Sequence, residues 1–384
     1  MNPLGADPWG FDEERQGLAR TLRRRRRRLS LVQLGATLVL LVVLLLGGSV
    51  RVRSWVLALS LPTWAAGSVF LMVLYGGWIS LGLPFAYVGG YRWEREFGLS
   101  NQSPRSWVAD RAKGFALGLG AIVLAGDVLL WLLASVPESW WLAAWALGLF
   151  ASLVLGFLAP VLLAPLFFRY RPLQDPALRA RFQALAVRAR VPVVGVYEMI
   201  ASAKTSRSNA AVMGFGRTRR VVVTDTMLRD YVPAEIEAVL AHELAHQKFR
   251  DPIKGIVLGA GVSFLMFSIA ARAYAATWAA FGFTSLHDIA ALPLLALYSG
   301  VVSGALVPAE LAWSRRRETR ADRFSLEITR NPSAFGAAMV KLHDRNLGVA
   351  DPKVWEKWLF YSHPPGKERV ELARAFASSG SAPG

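Results

Sequence analysis

Residues 233–250 read Pro-Ala-Glu-Ile-Glu-Ala-Val-Leu-Ala-His-Glu-Leu-Ala-His-Gln-Lys-Phe-Arg, and the rest of the chain is best read outward from them. Pro233 suits the first turn of a helix, where its missing N–H is no loss, and Glu235 and Glu237 sit near the positive end of the helix dipole. Asp251-Pro252 marks the stop. Within this predicted helix His242 and His246 are four residues apart, so they lie one above the other on a single face and can grip one zinc ion. Glu243 stands beside them, placed to take a proton from water at the metal. A surface helix with unrelated histidines is the competing reading. The amphipathic character of the helix and the strand pattern before it count against that.

A catalytic zinc needs a third protein ligand and an open position. The chain has no cysteine, which excludes thiolate sites, disulfides and cysteine nucleophiles and leaves His or carboxylate. The other histidines are His287, His343 and His363, none of them close behind the helix. Downstream, Ser314-Arg-Arg-Arg-Glu-Thr-Arg-Ala-Asp-Arg-Phe324 carries Glu318 and Asp322 four apart on one helical face. One can ligate the metal while the other orients a ligand histidine. Taken alone, the pair would read as partners for the surrounding arginines.

On the N-terminal side of the zinc helix, a turn at Arg169-Tyr-Arg-Pro172 precedes Asp175-Pro176, which can cap an amphipathic helix to about Arg190. Leu178, Phe182, Leu185 and Val187 fall mostly on one side of it. Val193–Ile200 and Arg220–Thr224 read as strands. Between them, Ala203 to Gly216 is polar and then strand-like, so the pattern predicts a three-strand meander with an exposed edge.

Farther out the chain becomes greasy. Hydrophobic residues make up 54% against 18% charged, and the mean hydropathy is +0.34, values that argue against a purely soluble protein. About 20 apolar residues suffice to cross a hydrocarbon core of about 30 Å as a helix. Such runs lie near 29–48, 63–84, 115–135, 140–168, 255–276 and 288–312, the fourth long enough to tilt or break at Pro160 and Pro165. The predicted fold is mostly α, a polytopic bundle of about six spans with a zinc-protease-like domain containing a small β-sheet. The predicted organisation is a basic segment 1–28, a four-span region 29–168 and the zinc-helix and β part 169–254. Two further spans over 255–312, a second polar part over 313–377 and a disordered tail 378–384 complete it.

The formal charge of +17 is distributed unevenly. Arg15, Arg20 and the run Arg23 to Arg28 precede the first span, and Arg92, Arg95, Arg105, Arg111 and Lys113 follow the second; the opposite connections hold Arg51 and Arg53. Basic residues near spans stay on the cytoplasmic side, which predicts both termini and both polar segments there, at the inner membrane in a prokaryote. The arginine run reads as a topology signal in preference to a nucleic-acid arm or an anionic-lipid patch, because it abuts a span and lacks interleaved aromatics. Trp55, Trp64, Trp140, Trp141, Trp278 and Trp313 suit an interfacial aromatic belt.

Together these pieces resemble the type I CAAX prenyl endopeptidases, integral-membrane zinc proteases of the gluzincin kind, from about residue 30 to 374. The matching pieces are Phe85-Ala-Tyr, Glu96-Phe-Gly-Leu-Ser-Asn-Gln102, Pro160 to Pro172, Ser208-Asn-Ala210 through Asp225-Thr226, Glu318-x-x-Ala-Asp322 and Ser362-His-Pro-Pro-Gly-Lys-Glu-Arg369, besides the zinc helix. The resemblance implies one zinc ion on His242, His246 and Glu318, with Glu243 as general base and Asp322 behind the ligands. It also implies substrate along an edge strand at Asn209 and Ala210, His363 and Arg369 near the scissile bond, and a water-filled chamber within the bundle. Its expected partners are a polypeptide, prenylated or not, and membrane lipid; no nucleic acid is expected, and the chain is expected to work as a monomer. Ala245 and Ala211 depart from the family's usual glycine and aromatic, and six spans replace seven. A membrane quality-control protease resembling the heat-shock zinc membrane proteases is the alternative job. A non-catalytic zinc-stabilised scaffold is the alternative of another class.

Overall fold

The computed structural model describes residue 7 and residues 9–379. Asp12 opens α1 (Glu13–Val43), its carboxylate accepting from the Arg15 N–H. A π-helical turn at Leu44–Gly48, with Gly47 at φ +111°, bends the chain without ending the helix, which continues as α2 (Ser49–Ala58). α3 (Thr63–Tyr87) passes through a second π-turn into the short α4 (Trp93–Glu96). Ser103 caps α5 (Pro104–Ser135), and α6 (Trp140–Leu158) gives way at Pro160 to a third π-turn before α7 (Ala164–Phe167). The break anticipated at Pro160 is therefore a bulge, the usual outcome where a ring removes a donor from the helical ladder.

The polar unit follows. It contains β1 (Arg169–Pro172), α8 (Pro176–Arg188), β2 (Val196–Ile200), β3 (Ala210–Met213), β4 (Arg220–Thr224), α9 (Asp225–Asp230) and α10 (Pro233–Lys248). The sheet order is β1-β2-β4-β3, with β2 and β4 parallel and the other pairs antiparallel. Two expectations are corrected. Arg169–Pro172 is an edge strand and not a turn, tolerable because Pro172 closes it and needs no donor there. The sheet is mixed, not a meander. Residues 201–206 are held by the loop at 98–101, through Asn101 N–H to Lys204 O and the Thr205 hydroxyl to Leu99 O, so the chain cannot turn straight back onto β2. Gly214 and Gly216, both at positive φ, then fold β4 tightly against β3, which is left as the outer strand.

Arg250, in left-handed conformation, links α10 to α11 (Asp251–Thr277), and α12 (Leu292–Thr329) follows. Among the described residues, six helices are long and apolar enough to cross a membrane, in the order expected. At about 1.5 Å per residue, the 38 residues of α12 reach roughly 57 Å, nearly twice a hydrocarbon core. Its C-terminal part thus projects from the bundle and carries Glu318 and Asp322 into the polar unit. There α13 (Pro332–Asn346), α14 (Val354–Phe360) and α15 (Gly366–Ser379) complete the fold. Phe182, Leu185, Val221, Val223, Ile236, Leu240, Ala321 and Phe335 share one core, so the two polar segments fold as one body. Val187, expected on the apolar side of α8, is 77% exposed.

Two further readings change. Trp140 is not a lipid-facing anchor: it is 3% exposed, packed edge-on against Tyr274, whereas Trp55 and Trp64 are exposed as a belt would have them. The arginine run is not free. It lies within α1, where Arg25 pairs with Glu96 at 2.6 Å, Arg26 with Glu94, and Arg27 with Glu356 at 2.5 Å. Ser378 and Ser379 form the end of α15, and the rest of the expected disordered tail lies outside the described residues.

Candidate active site

His242 and His246 occupy successive turns of α10, where the helix is buried against α12. His242 Nδ1 lies 2.7 Å from Asp322 Oδ1, and His246 Nδ1 lies 2.9 Å from Asp251 Oδ2. Both carboxylates are buried. Each therefore holds its imidazole with the proton on Nδ1 and leaves Nε2 as a free donor pair for a metal. The two Nε2 atoms are 3.3 Å apart; Glu318 Oε2 is 3.1 Å from the first and Glu318 Oε1 is 3.5 Å from the second. Donors about 2.0–2.1 Å from a tetrahedral zinc stand roughly 3.3 Å apart, so the triangle matches such an ion and the chemistry of the donor set suits it.

The local electrostatics agree. Burial alone would lower the His242 pKa, but the charge and hydrogen bond of Asp322, with Glu318, drive it up to about 9. A site that favours a proton so strongly favours a cation in its place. Burial raises the Glu243 pKa above the ordinary carboxylate value, the histidines opposing it and Glu318 adding to it. A carboxylate raised in this way is a stronger base for a nearby water.

His363 Nε2 is 3.3 Å from Glu318 Oε2, and its side chain keeps 57% of its surface accessible, so it stands on the open side of the triangle. Arg369 lies beside His242, its Nη2 3.3 Å from Nδ1. It is buried behind His242 and grips Asp322 with two bonds, Nε to Oδ2 at 2.9 Å and Nη2 to Oδ1 at 2.5 Å. Expected near the scissile bond, its guanidinium is doubly bonded to Asp322, beside His242. Asn209 is exposed just before β3, its C=O accepting from the Thr224 N–H and its N–H donating to Thr224 Oγ1, whereas the Ala210 side chain is buried in the core and only its backbone is available to a ligand. Asp251 was missed as an orienting residue. In the sequence Asp251-Pro252 reads as a stop signal alone, although a carboxylate five positions after a ligand histidine is also a candidate partner.

Residues 172–377 match the family model described as peptidase family M48, a stretch covering more than half of the chain. The chain belongs to peptidase family M48. Residues 11–169 match the CAAX prenyl protease N-terminal region, described as five membrane helices; four of the six candidate spans fall there among the described residues. An uncharacterized metalloprotease, YhfN of Bacillus subtilis (strain 168), is 32% identical over 339 residues, covering 86% of this chain and 79% of its own. The human CAAX prenyl protease 1 homolog is 28% identical over 344 residues, 76% of this chain and 70% of its own. The crystal structure of S. mikatae Ste24p superposes with a TM-score of 0.82 at 23% identity, covering 94% of this chain and 89% of that one, and shares the fold. The M48 member described here is an integral-membrane metalloprotease acting on polypeptides.

Proposed function

We propose that the protein is a zinc endopeptidase that cleaves membrane-associated polypeptides of the lipidated, CAAX type, with one zinc per chain on His242, His246 and Glu318. The observation that carries this is the triangle of donors 3.1–3.5 Å apart with both histidines fixed from behind by Asp322 and Asp251. A zinc ion held there would acidify a water and polarise the scissile carbonyl. Glu243 takes the proton from that water as its oxygen adds to the carbonyl carbon, and returns it to the amide nitrogen as the C–N bond breaks. His363 donates to the developing oxyanion, a contribution on the order of 3–4 kcal/mol for a well-placed donor. Arg369 acts through Asp322 as a positioning residue.

Substrate adds as a strand to the open edge of β3. Asn209 and Thr224 form a bonded pair in the ladder, so alternation turns the backbone of Ala210 and Val212 towards the open edge. Ala210 N–H and C=O and the Val212 N–H are thus available, which gives affinity with little sequence demand. The asymmetry of basic residues supports a cytoplasmic site with both termini on that side. A site complete within one chain supports a working monomer, and the internal ion pairs of the arginine run leave no need for a nucleic acid. Purified wild type and Glu243→Gln, given farnesylated and unprenylated CAAX peptides, test the reading. Both should bind one zinc and only the wild type should cleave. Cleavage of misfolded membrane proteins with neither peptide touched would transfer the protein to quality control, and equal product profiles would remove the protease assignment.

A further inference from the structure

Asp251 faces two ways: Oδ2 meets His246 Nδ1, and Oδ1 accepts from Arg320 of α12. Behind that pair lies a seam of cations that the proposed reaction does not use. Trp313, Arg317, Arg320 and Phe324 recur at spacings of four, three and four, so they share one face of α12. Arg317 crosses to α11, its Nη1 donating to Asp251 O at 3.3 Å and lying beside Gly255. Lys254, the residue before that glycine, is exposed.

Each guanidinium rests on a ring, Arg317 at 3.9 Å from the centre of Trp313 and Arg320 at 4.4 Å from that of Phe249. Stacking takes up the face of a guanidinium and leaves its N–H edge for an anion. That edge is not filled from within the protein. Nε of both arginines is buried with no acceptor among the described residues, whereas buried donors are nearly always met. Charge is in excess as well. Residues 248–254 and 313–323 hold eight Lys and Arg against Asp251, Glu318 and Asp322, and the last two carboxylates are engaged by His242 and Arg369. Neither Lys254 nor Arg317 has a carboxylate partner among the described residues.

Depth selects the ligand. The apolar run of α11 begins at Gly255 and that of α12 ends at Ala312, both helices are candidate spans, and Ile253, Ile256 and Val257 are exposed beside Lys254. The seam therefore sits where hydrocarbon gives way to water, the level of lipid phosphates, and basic pockets between spans at that level suit anionic headgroups. We propose that Lys254, Arg317 and Arg320 form a site for the phosphate of an anionic phospholipid. Its occupancy acts on the metal site. A phosphate at the unfilled edge of Arg320 offsets the cation beside Asp251, leaves more of that carboxylate's charge to His246, and so strengthens the hold on zinc. This second step rests on the zinc reading, whereas the lipid site stands apart from it.

The test uses full-length, zinc-loaded protein in neutral-detergent micelles, with a few molecules of phosphatidylglycerol or phosphatidylcholine added per micelle. Native mass spectrometry counts the lipid retained, and chelator competition measures zinc affinity. Wild type should retain phosphatidylglycerol about fivefold or more over phosphatidylcholine, as about 1 kcal/mol per cation near the surface implies. Arg317→Gln should bring that preference below about twofold. Lys254→Gln, which breaks no ion pair, should move it the same way and covers the case of a misfolded Arg317 variant, while Arg188→Gln on α8 should leave it unchanged. Phosphatidylglycerol should tighten zinc binding about fivefold in wild type and much less in Arg317→Gln. Equal retention of the two lipids would overturn the site, as would a preference untouched by both substitutions. The same tightening by soluble glycerol 3-phosphate at equal concentration would assign the cluster to free phosphate and refute the lipid. A clear lipid preference with unchanged zinc affinity would refute the coupling. If wild type bound no zinc while the preference and its loss in both variants stood, the zinc reading would fall and the lipid site would be upheld.

Discussion

Replacing Asp251 by Asn tests how far a carboxylate behind a ligand histidine supports metal affinity. Asp251 is buried, accepts from His246 Nδ1 at 2.9 Å, and is also paired with Arg320. Asparagine keeps the size and can keep the acceptor but removes the charge. A hydrogen bond to a charged group contributes about 1.5–3 kcal/mol and a neutral one about 0.5–1.5, so the loss is about 1–1.5 kcal/mol. With about 1.4 kcal/mol per factor of ten, zinc affinity should fall about tenfold in Asp251→Asn. Asp251→Ala, which also frees the imidazole to turn, should approach the hundredfold limit typical of such supporting residues. Chelator competition on the purified protein measures both constants, with melting of the metal-free protein as the control for folding. Wild-type affinity in both variants would mean that Asp251 does not orient His246, and the account of two histidines fixed from behind would lose half its basis.

Other outcomes follow from the same geometry. Glu243→Gln should bind zinc as wild type does and lose at least about 10²-fold in turnover, the range for a general base, read by product release. Asp322→Asn breaks a buried pair with Arg369, and such losses run about 3–5 kcal/mol, so its chief effect should be a lowered melting temperature. His343, its Nδ1 bonded to Met339 O, is held by burial at a pKa of about 4. Because the unfolded chain then binds the extra proton between pH 6.5 and 4, stability is present above that window and lost as pH falls through it. Going from pH 7 to 5 should cost at most about 2 kcal/mol, and His343→Gln should flatten that slope in thermal melts.

What the sequence conveyed depended on the range of the interaction. The six spans and the zinc helix are local patterns, an apolar run or a spacing of four along one helix, and these were legible at once. Glu318 and Asp322 were legible for the same reason, since one helical face holds both. Partners across the fold were not. Nothing in Arg23 to Arg28 announces Glu94, Glu96 and Glu356, and a run of like charge beside a span has a sufficient local explanation. Trp140 shows the same limit: a tryptophan at a span end is usually an interfacial anchor, and packing against Tyr274 overrides that here. The sheet misled because strand order is decided by where the connecting loop is tied, here to residues 98–101, and not by the strands themselves.

The supports of the metal site explain why it belongs to a membrane-spanning chain. His242 and His246 come from α10, which lies outside the bundle, but Asp251 is the first residue of α11, while Glu318 and Asp322 lie on the projecting part of α12. Both of these helices are candidate spans. Three of the five groups proposed to hold or orient the metal are therefore fixed to the fifth and sixth spans, whose separation is set by packing within the bundle. Arg320, one turn before Phe324 on α12, bonds Asp251 on α11 and ties those two spans together beside the histidines. A shift of one span against the other by the length of a hydrogen bond would move Asp251 and Glu318 in different directions relative to α10. The arrangement of these groups is thus tied to the packing of the fifth and sixth spans.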